Sequence, residues 1–197
     1  MIEEQHPWNW YTPENCRVLI VGTFPPTKRN WSFDFFYPNK ANFFWRMIAQ
    51  VAGKQLEYPS GPLAVQERKN LLKQLQLGVT DMGKQIIRHE NSSLDENLAA
   101  LEFMDIFQIL DENPGIKRLI FTSSSGKVSA VRWFTEFLAA QGIKHRLPSG
   151  KRPIRSEMEY NNKKIELVVL YSPSPRAANR ISMETLVALY RDEILDE

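Results

Sequence analysis

The sequence predicts an α/β fold in three αβα layers around a central, mostly parallel sheet of four strands. Short apolar runs of strand length alternate with segments whose apolar residues recur at helical spacing. That alternation is the pattern of parallel strands joined by covering helices. No repeat, low-complexity segment or Gly/Ser linker divides the 197 residues. A single domain spanning residues 1–197 is therefore expected.

The first half of the chain is predicted to form two strands and two helices. Residues 16–24 are an apolar run that ends in a Gly-Thr-Phe-Pro-Pro turn, as expected of a fully buried strand. Residues 42–51 and 64–75 place apolar side chains at helical spacing, which predicts two helices. Residues 77–82 fit a short second strand.

The second half continues the alternation. Ser93 followed by Glu96 is a capping-box pattern, which predicts a helix that ends near Asn113-Pro114-Gly115. The remaining elements are predicted as strands at residues 117–122 and 165–171, a helix at 127–140, and a last helix from Ser182.

Composition and charge limit the class of protein. Hydrophobic residues make up 43% and charged residues 24% of the chain, as in soluble globular proteins, and no apolar run reaches membrane-spanning length. The acidic first residues do not resemble a secretory signal, and the one cysteine, Cys16, cannot form an internal disulfide or a metal cluster. We therefore expect a cytoplasmic protein without a metal, an organic cofactor or a membrane partner.

A basic segment stands out against the net charge of +2. Residues 144–155 contain five lysines and arginines and no acid. Such a segment can follow a phosphate backbone, and a solvated surface loop explains the same charges equally well. Both interpretations stay open.

Three loops of unusual composition follow predicted strands, at the edge where this type of sheet binds ligands. The first, residues 22–42, leads into a cluster of aromatic residues between Trp31 and Trp45. Core packing best explains any single aromatic residue in this cluster. The cluster as a whole favours a pocket for a flat heterocycle.

The other two loops combine hydroxyl groups with cations. Residues 122–127 carry three serines, a glycine and Lys127 before a predicted helix, which suits an anion site or a simple helix cap. Residues 172–176 (Ser-Pro-Ser-Pro-Arg) are stiffened by two prolines. Arg176 is thus suited to entering a duplex, and a plain proline-rich turn is the alternative.

Together these segments resemble the uracil-DNA glycosylase superfamily, most closely its hypoxanthine-DNA glycosylase and mismatch-specific branches. The matching pieces follow the family's order along nearly the whole chain: Gly22-Thr23-Phe24-Pro25-Pro26, Tyr37-Pro38, Asn42-Phe43-Phe44-Trp45, residues 77–82, Arg88 with Ser93-Leu94-Asp95, and Ser172-Pro173-Ser174-Pro175-Arg176. The resemblance implies a monomer that flips a deaminated base (uracil, hypoxanthine or xanthine) out of DNA and hydrolyses its N-glycosidic bond.

The resemblance also implies roles for individual residues. Asn42 would orient the attacking water, and Ser172 would donate a hydrogen bond to the base. The base would be bound by Gly22, Thr23, Phe24, Tyr37 and Phe44, with Phe24 and Phe44 enclosing it. Flanking DNA would be held by Ser123, Ser125, Lys127 and Ser174, while Arg176 would fill the vacated stack.

Two departures from the family pattern bear on catalysis. Many members place a water-activating Asp or Asn before the first motif's proline, where this chain has Phe24, so that turn supplies no catalytic acid or amide. Ser172 stands where other branches have a histidine, and a hydroxyl cannot stabilise negative charge as an imidazole does. The alternatives are therefore a non-catalytic DNA-damage-binding protein of the same fold, and a hydrolase of free nucleosides or nucleotides.

Overall fold

The computed structural model describes residues 2–90, 92–175 and 181–196. Its strands are β1 (Ile2–Gln5), β2 (Val18–Gly22), β3 (Leu77–Asp81), β4 (Gly83–Arg88), β5 (Leu98–Phe103), β6 (Arg118–Phe121), β7 (Ile154–Tyr160) and β8 (Lys163–Val169). Its α-helices are α1 (Phe44–Val51), α2 (Gly61–Leu75), α3 (Ile106–Glu112), α4 (Ala130–Ala140) and α5 (Met183–Leu195). Short 3-10 turns lie at Lys28–Asn30 and Asp95–Asn97.

A five-stranded sheet in the order β3-β2-β6-β8-β7 forms the centre of the fold. Its first four strands are parallel to one another. They correspond to the four strands predicted from the sequence, so the α/β class and the mostly parallel sheet are confirmed. The sheet nevertheless has five strands rather than the four expected, because β7 pairs antiparallel with β8.

The additional strand comes from the end of the basic segment. Along β7, buried Met158 and half-buried Ile154 and Tyr160 alternate with exposed charged residues, which is the pattern of an edge strand covered on one face. Asn161 and Asn162 join β7 to β8 with positive φ angles of 49° and 59°, as tight hairpin turns require. The sequence analysis did not predict this strand, because its many charged residues are not typical of a buried strand.

A second sheet corrects the prediction of a helix over residues 93–113. The strand β5 pairs antiparallel with β4, which in turn pairs with β1. Only the end of the predicted helix is α-helical, as α3, and the Asp105 carboxylate caps it by accepting from the Gln108 amide at 3.0 Å. Non-local pairing with β4 overrides the local helical spacing.

The capping box at Ser93 is not formed either. The Ser93 hydroxyl lies 2.9 Å from the Thr27 hydroxyl and accepts a hydrogen bond from Asn30 at 2.8 Å. Ser93 therefore fastens the loop after β2 instead of starting a helix.

The core lies in two layers, one on each face of the central sheet. Ile20 of β2 packs on one face with residues of α1, α2 and α5 and with the loop aromatic Phe36. Leu19 and Val21 pack on the other face with residues of α3 and α4. This division follows from the alternation of side chains along a strand. No helix in the described ranges is long and apolar enough to cross a membrane.

Candidate functional site

The loops after β2, β6 and β8 meet at one edge of the central sheet, because the carboxyl ends of parallel strands lie together. The hydroxyls of Thr23 and Ser123 are 3.1 Å apart, which joins the first loop to the second. The Phe43 amide donates to the Pro173 carbonyl at 2.9 Å, which joins the first loop to the third. The three loops singled out in the sequence thus form one surface.

Gly22 ends β2 at this edge and allows two polar side chains to approach its backbone. It is paired with Asp81, the last residue of β3. A Cβ on Gly22 would lie 2.1 Å from Asp81 Oδ1 and 3.0 Å from the Tyr37 hydroxyl. The Tyr37 hydroxyl lies 3.4 Å from that of Thr122, which follows β6. We call Gly22, Tyr37, Asp81 and Thr122 the polar cluster.

Asp81 is a candidate functional residue that the sequence analysis did not single out. Its Oδ2 lies 3.0 Å from Nε2 of His6, and the two side chains are only 9% and 1% exposed. Its Oδ1, which faces Gly22, has no hydrogen-bond partner among the residues that the structure describes. A carboxylate at the end of a fully buried strand was the available signal, since charged side chains are rarely buried unless they are paired.

His6 reaches Asp81 from the N-terminal segment. Its amide donates to the Lys84 carbonyl at 2.8 Å, which continues the pairing of β1 with β4. Its Nδ1 contacts both the amide and the carbonyl of Trp8, and its Nε2 faces Asp81 Oδ2. Because a carboxylate oxygen accepts, Nε2 is the donor in this hydrogen bond. His6 and Asp81 are 75 residues apart, and no local pattern predicts their contact.

The Tyr37 ring lies flat on Phe44, with ring centroids 3.8 Å apart and planes inclined by 18°. Tyr37 has a φ of 51°, a left-handed conformation that is unfavourable for tyrosine and is held here by the packing around it. Burial, followed by the negative charge of Asp81, raises the pKa of Tyr37 well above its usual value. The hydroxyl therefore stays protonated and can donate at neutral pH.

Asn42 precedes α1, which begins at Phe44 rather than at residue 42. The Asn42 side-chain oxygen accepts from the Phe44 amide at 2.9 Å and so satisfies a free donor at the helix start. The Ser172 hydroxyl accepts from the Ser174 amide at 3.2 Å. The hydrogen bond between Phe43 and Pro173 brings the two backbones together, although no hydrogen bond joins the Asn42 and Ser172 side chains themselves in the described structure.

Phe24 is not brought together with Phe44. The Phe24 ring belongs to the core cluster on the α4 face of the sheet, whereas Phe44 belongs to the cluster on the α1 face. The ring is approached edge-on by His6 at 5.2 Å between centroids. The two phenyl rings therefore do not form the facing pair expected from the sequence, and Phe24 contacts the site through His6.

The predicted phosphate loop precedes α4 without forming its first turn. The helix begins at Ala130 and is capped by Ser129, rather than beginning at residue 127. The Ser123 hydroxyl accepts from the Ala130 amide at 2.9 Å and so ties the loop to the helix. Ser125 and Lys127 are exposed.

The basic segment is partly engaged inside the protein. Arg152 donates to the Ser124 hydroxyl at 2.6 Å and lies over the Tyr171 ring. Arg155 pairs with the buried carboxylate of Glu193 at 3.0 Å. Lys144, Arg146 and Lys151 remain exposed.

Arg176 lies outside the described residues, while Ser174 is half-buried beside the loop after β2.

The groups at this edge of the sheet can recognise a ligand by hydrogen bonds beside an aromatic surface. Asp81 offers an acceptor and the Tyr37 hydroxyl offers a donor, while the Thr122 hydroxyl donates to the Val21 carbonyl at 3.4 Å. The Tyr37 ring, backed by the buried Phe44 ring, offers a flat apolar surface. Such a set suits a planar molecule that carries N–H and C=O groups on one edge. Among residues 2–90, 92–175 and 181–196, no three His, Cys, Asp or Glu side chains gather as a metal site requires.

The fold is shared with a solved structure. No protein-family model matches the sequence, and no curated protein matches it significantly. A solution NMR structure from Methanosarcina acetivorans, provisionally described as a uracil DNA glycosylase, aligns with a TM-score of 0.61 at 19% sequence identity, over 96% of this chain and 98% of that chain. The chain therefore has the fold of that protein.

Proposed function

We propose that the protein is a DNA glycosylase that binds a deaminated base flipped out of DNA and hydrolyses its N-glycosidic bond to leave an abasic site. The observation that carries the proposal is the polar cluster beside the Tyr37–Phe44 stack, at the ligand-binding edge of a fold shared with the archaeal structure. The motif around Asn42 and the Ser93-Leu94-Asp95 segment favour the hypoxanthine branch. The protein would act as a cytoplasmic monomer with one domain over residues 1–197.

The polar cluster would read the hydrogen-bonding edge of the base. Uracil, hypoxanthine and xanthine carry a ring N–H where cytosine and adenine carry an acceptor nitrogen. Asp81 Oδ1 would accept from that N–H, while the Tyr37 hydroxyl would donate to a neighbouring carbonyl oxygen. Cytosine and adenine would be rejected because a carboxylate repels an acceptor nitrogen.

The Tyr37 ring, supported from behind by Phe44, would form the aromatic wall of the pocket, with the Gly22 and Thr23 backbone at its end. Only glycine leaves room at position 22, because a Cβ there would displace Asp81. Phe24 would support the pocket through its contact with His6.

Hydrolysis breaks the bond between the base nitrogen and C1′ of the sugar, and the bonding electrons leave with the base. The sugar passes through an oxocarbenium-like state that water attacks, as in glycoside hydrolysis. Asn42 would orient this water, since an amide is too weak a base to remove its proton. Ser172 already accepts from the Ser174 amide, so its own O–H would donate to the departing base as negative charge develops. The proton lost by the water balances the proton gained by the base.

The DNA around the extruded base would be held by the rim loops. Ser123, Ser125, Lys127 and Ser174 would contact flanking phosphates, which fix register without reading sequence. Arg176 would occupy the space that the base leaves in the duplex.

Labelled oligonucleotides with one uracil, hypoxanthine or xanthine, treated with the protein and then with alkali, test the proposal. We expect strand breakage at one or more of these lesions and none at adenine or cytosine in the same position. No alkali-labile product from any of the three lesions would contradict it.

A non-catalytic DNA-damage-binding protein is the second candidate. It is favoured by Phe24 at the usual position of the water-activating residue, and by the use of the Asn42 oxygen as a helix cap. This candidate predicts lesion-selective binding in a gel-shift experiment with no abasic product after prolonged incubation.

A further inference from the structure

A groove of about 550 Å³ lies against the outer side of α1 and begins at the loop that carries Asn42. Arg46, Ala49 and Gln50 line it at helical spacing, so one face of α1 forms its wall, and Asn42 lines it from the loop just before the helix. The segment after α1, including Lys54 and Tyr58, forms the opposite wall. None of the four polar-cluster residues lines the groove, which therefore lies beside the polar cluster and shares Asn42 with the proposed catalytic site.

The charge of the groove favours an anion. Lys40, Arg46, Lys54 and Arg68 line it, and Glu57 is the one acidic residue among the described residues that line it, although Glu67 pairs with Arg68 from behind the lining. The first three cations are exposed. Such an excess of positive charge along a concave surface concentrates polyanions.

Arg68 is the buried cation of the groove, with a side chain only 4% exposed. It donates through Nη1 to the Tyr58 carbonyl at 2.7 Å and pairs with Glu67, which neutralises part of its charge. Its Nε is buried and has no hydrogen-bond partner within the described part of the chain. Arg68 therefore keeps unused hydrogen-bonding capacity at a site where an anion would be stabilised.

Tyr58 adds an aromatic surface for a base. Phe33 and Trp45 are buried at the groove, while Tyr58 is 40% exposed. Cations beside an exposed aromatic ring are the features with which proteins bind single strands, because phosphates and bases are contacted separately.

We propose that this groove binds the DNA strand directly next to the extruded nucleotide, with a phosphodiester near Arg46 and Lys54 and the adjoining base on Tyr58. The inference rests on the proposed function, since the strand is the continuation of the substrate. Continuity supports it, because Asn42 lines the groove and also lies beside the loop of Ser172. The strand would occupy the groove on one side of the lesion only.

The test measures the affinity for an oligonucleotide that carries a tetrahydrofuran abasic-site analogue, which the protein cannot cleave. Three oligonucleotides are used. In the first the strand extends on both sides of the analogue, in the second only on its 5′ side, and in the third only on its 3′ side. Wild type is compared with the double variant Arg46→Gln/Lys54→Gln. Lys164→Gln is the control, because Lys164 is 80% exposed and lies at the start of β8, at the opposite edge of the sheet.

We expect the double variant to lower the slope of log affinity against log salt by about 1 for each phosphate that is no longer neutralised, and to do so only when the strand extends on one particular side. The control should keep the wild-type slope. Three results would overturn the inference. These are equal slopes for all three proteins, an equal decrease of the slope in the double variant and the control, and a decrease of the slope that does not depend on strand side. Base excision by wild type together with any of these results leaves the proposed function intact. If wild type binds none of the three oligonucleotides, both this inference and the proposed function are contradicted.

Discussion

Nε2 of His6 lies 3.0 Å from Oδ2 of Asp81, and both side chains are shielded from solvent. The contact fixes one carboxylate oxygen and leaves the other beside Gly22 and the Tyr37 hydroxyl. An acceptor held in this way needs little reorganisation when a ligand arrives, which is what binding and catalytic sites require. His6 is thus a positioning residue for Asp81 in the proposed base pocket.

Replacement of His6 tests this positioning role. His6→Phe keeps an aromatic ring against Trp8 and Phe36 but removes the hydrogen bond to Asp81. We expect KM for a lesion oligonucleotide to rise about tenfold or more, because hydrogen bonds to charged groups contribute roughly 1.5–3 kcal/mol. A purely structural role would lower the melting temperature and leave KM unchanged. His6→Gln, which can still donate, should restore much of the affinity.

Gly22→Ala should inactivate the site without unfolding the protein. The new methyl group would lie 2.1 Å from Asp81 Oδ1, so the carboxylate must move away from the base. We expect kcat/KM for excision to fall at least tenfold. Gly142→Ala is the control: its φ of 77° disfavours alanine but nothing lies near its Cβ, so stability should fall while activity persists. The reverse pattern between the two variants would contradict the assignment.

Phe44→Leu should weaken recognition of the base. The substitution removes the ring on which Tyr37 stacks and, like other reductions in core volume, costs about 1–3 kcal/mol of unfolding free energy. Phe134→Leu is the matched control variant, because Phe134 is equally buried but lies on the other face of the sheet. Both variants should lose similar stability in urea denaturation. Only Phe44→Leu should lose affinity for a lesion oligonucleotide, and equal losses of affinity would contradict the role of the stack.

Cys16 provides a prediction about pH that does not depend on function. Burial raises the pKa of its thiol from about 9 to about 12, so the folded thiol stays neutral where the unfolded thiol ionises. Its contribution to stability is therefore complete below the ordinary pKa and decreases as the pH rises towards 12. The loss of unfolding free energy between about pH 8 and about pH 10 should be smaller in Cys16→Ala than in wild type. Identical losses would exclude this effect.

The elements that depend on local sequence could be predicted, whereas those set by distant pairing could not. Residues 16–24 were predicted as a buried strand because the run is largely apolar and Gly22 begins a turn. In contrast, Leu98 and Leu101 fit helical spacing, although antiparallel pairing with β4 makes their segment a strand. The edge strand β7 was missed for a related reason, since its pattern becomes informative only once β8 is beside it.

The same distinction applies to the candidate site. Gly22, Tyr37 and Phe44 were identified from motifs, and the structure places them in contact at the sheet edge. His6 and Asp81 were not, because their contact depends on how β1 pairs with β4. Phe24 was expected to face Phe44, but it lies beyond Gly22, the last residue of β2, where the regular alternation of the strand has ended, and it packs in the other layer.

Single-turnover excision of hypoxanthine by wild type and by Asp81→Ala, on an oligonucleotide with one lesion, tests the proposed site most directly. We expect wild type to release the base and Asp81→Ala to do so about ten- to a hundredfold more slowly, as loss of a hydrogen bond to a charged group predicts. Uracil and xanthine substrates should show the same ratio, because each presents a ring N–H to the carboxylate. Equal rates for the two proteins, with both folded by circular dichroism, would contradict the assignment of Asp81 to the base pocket.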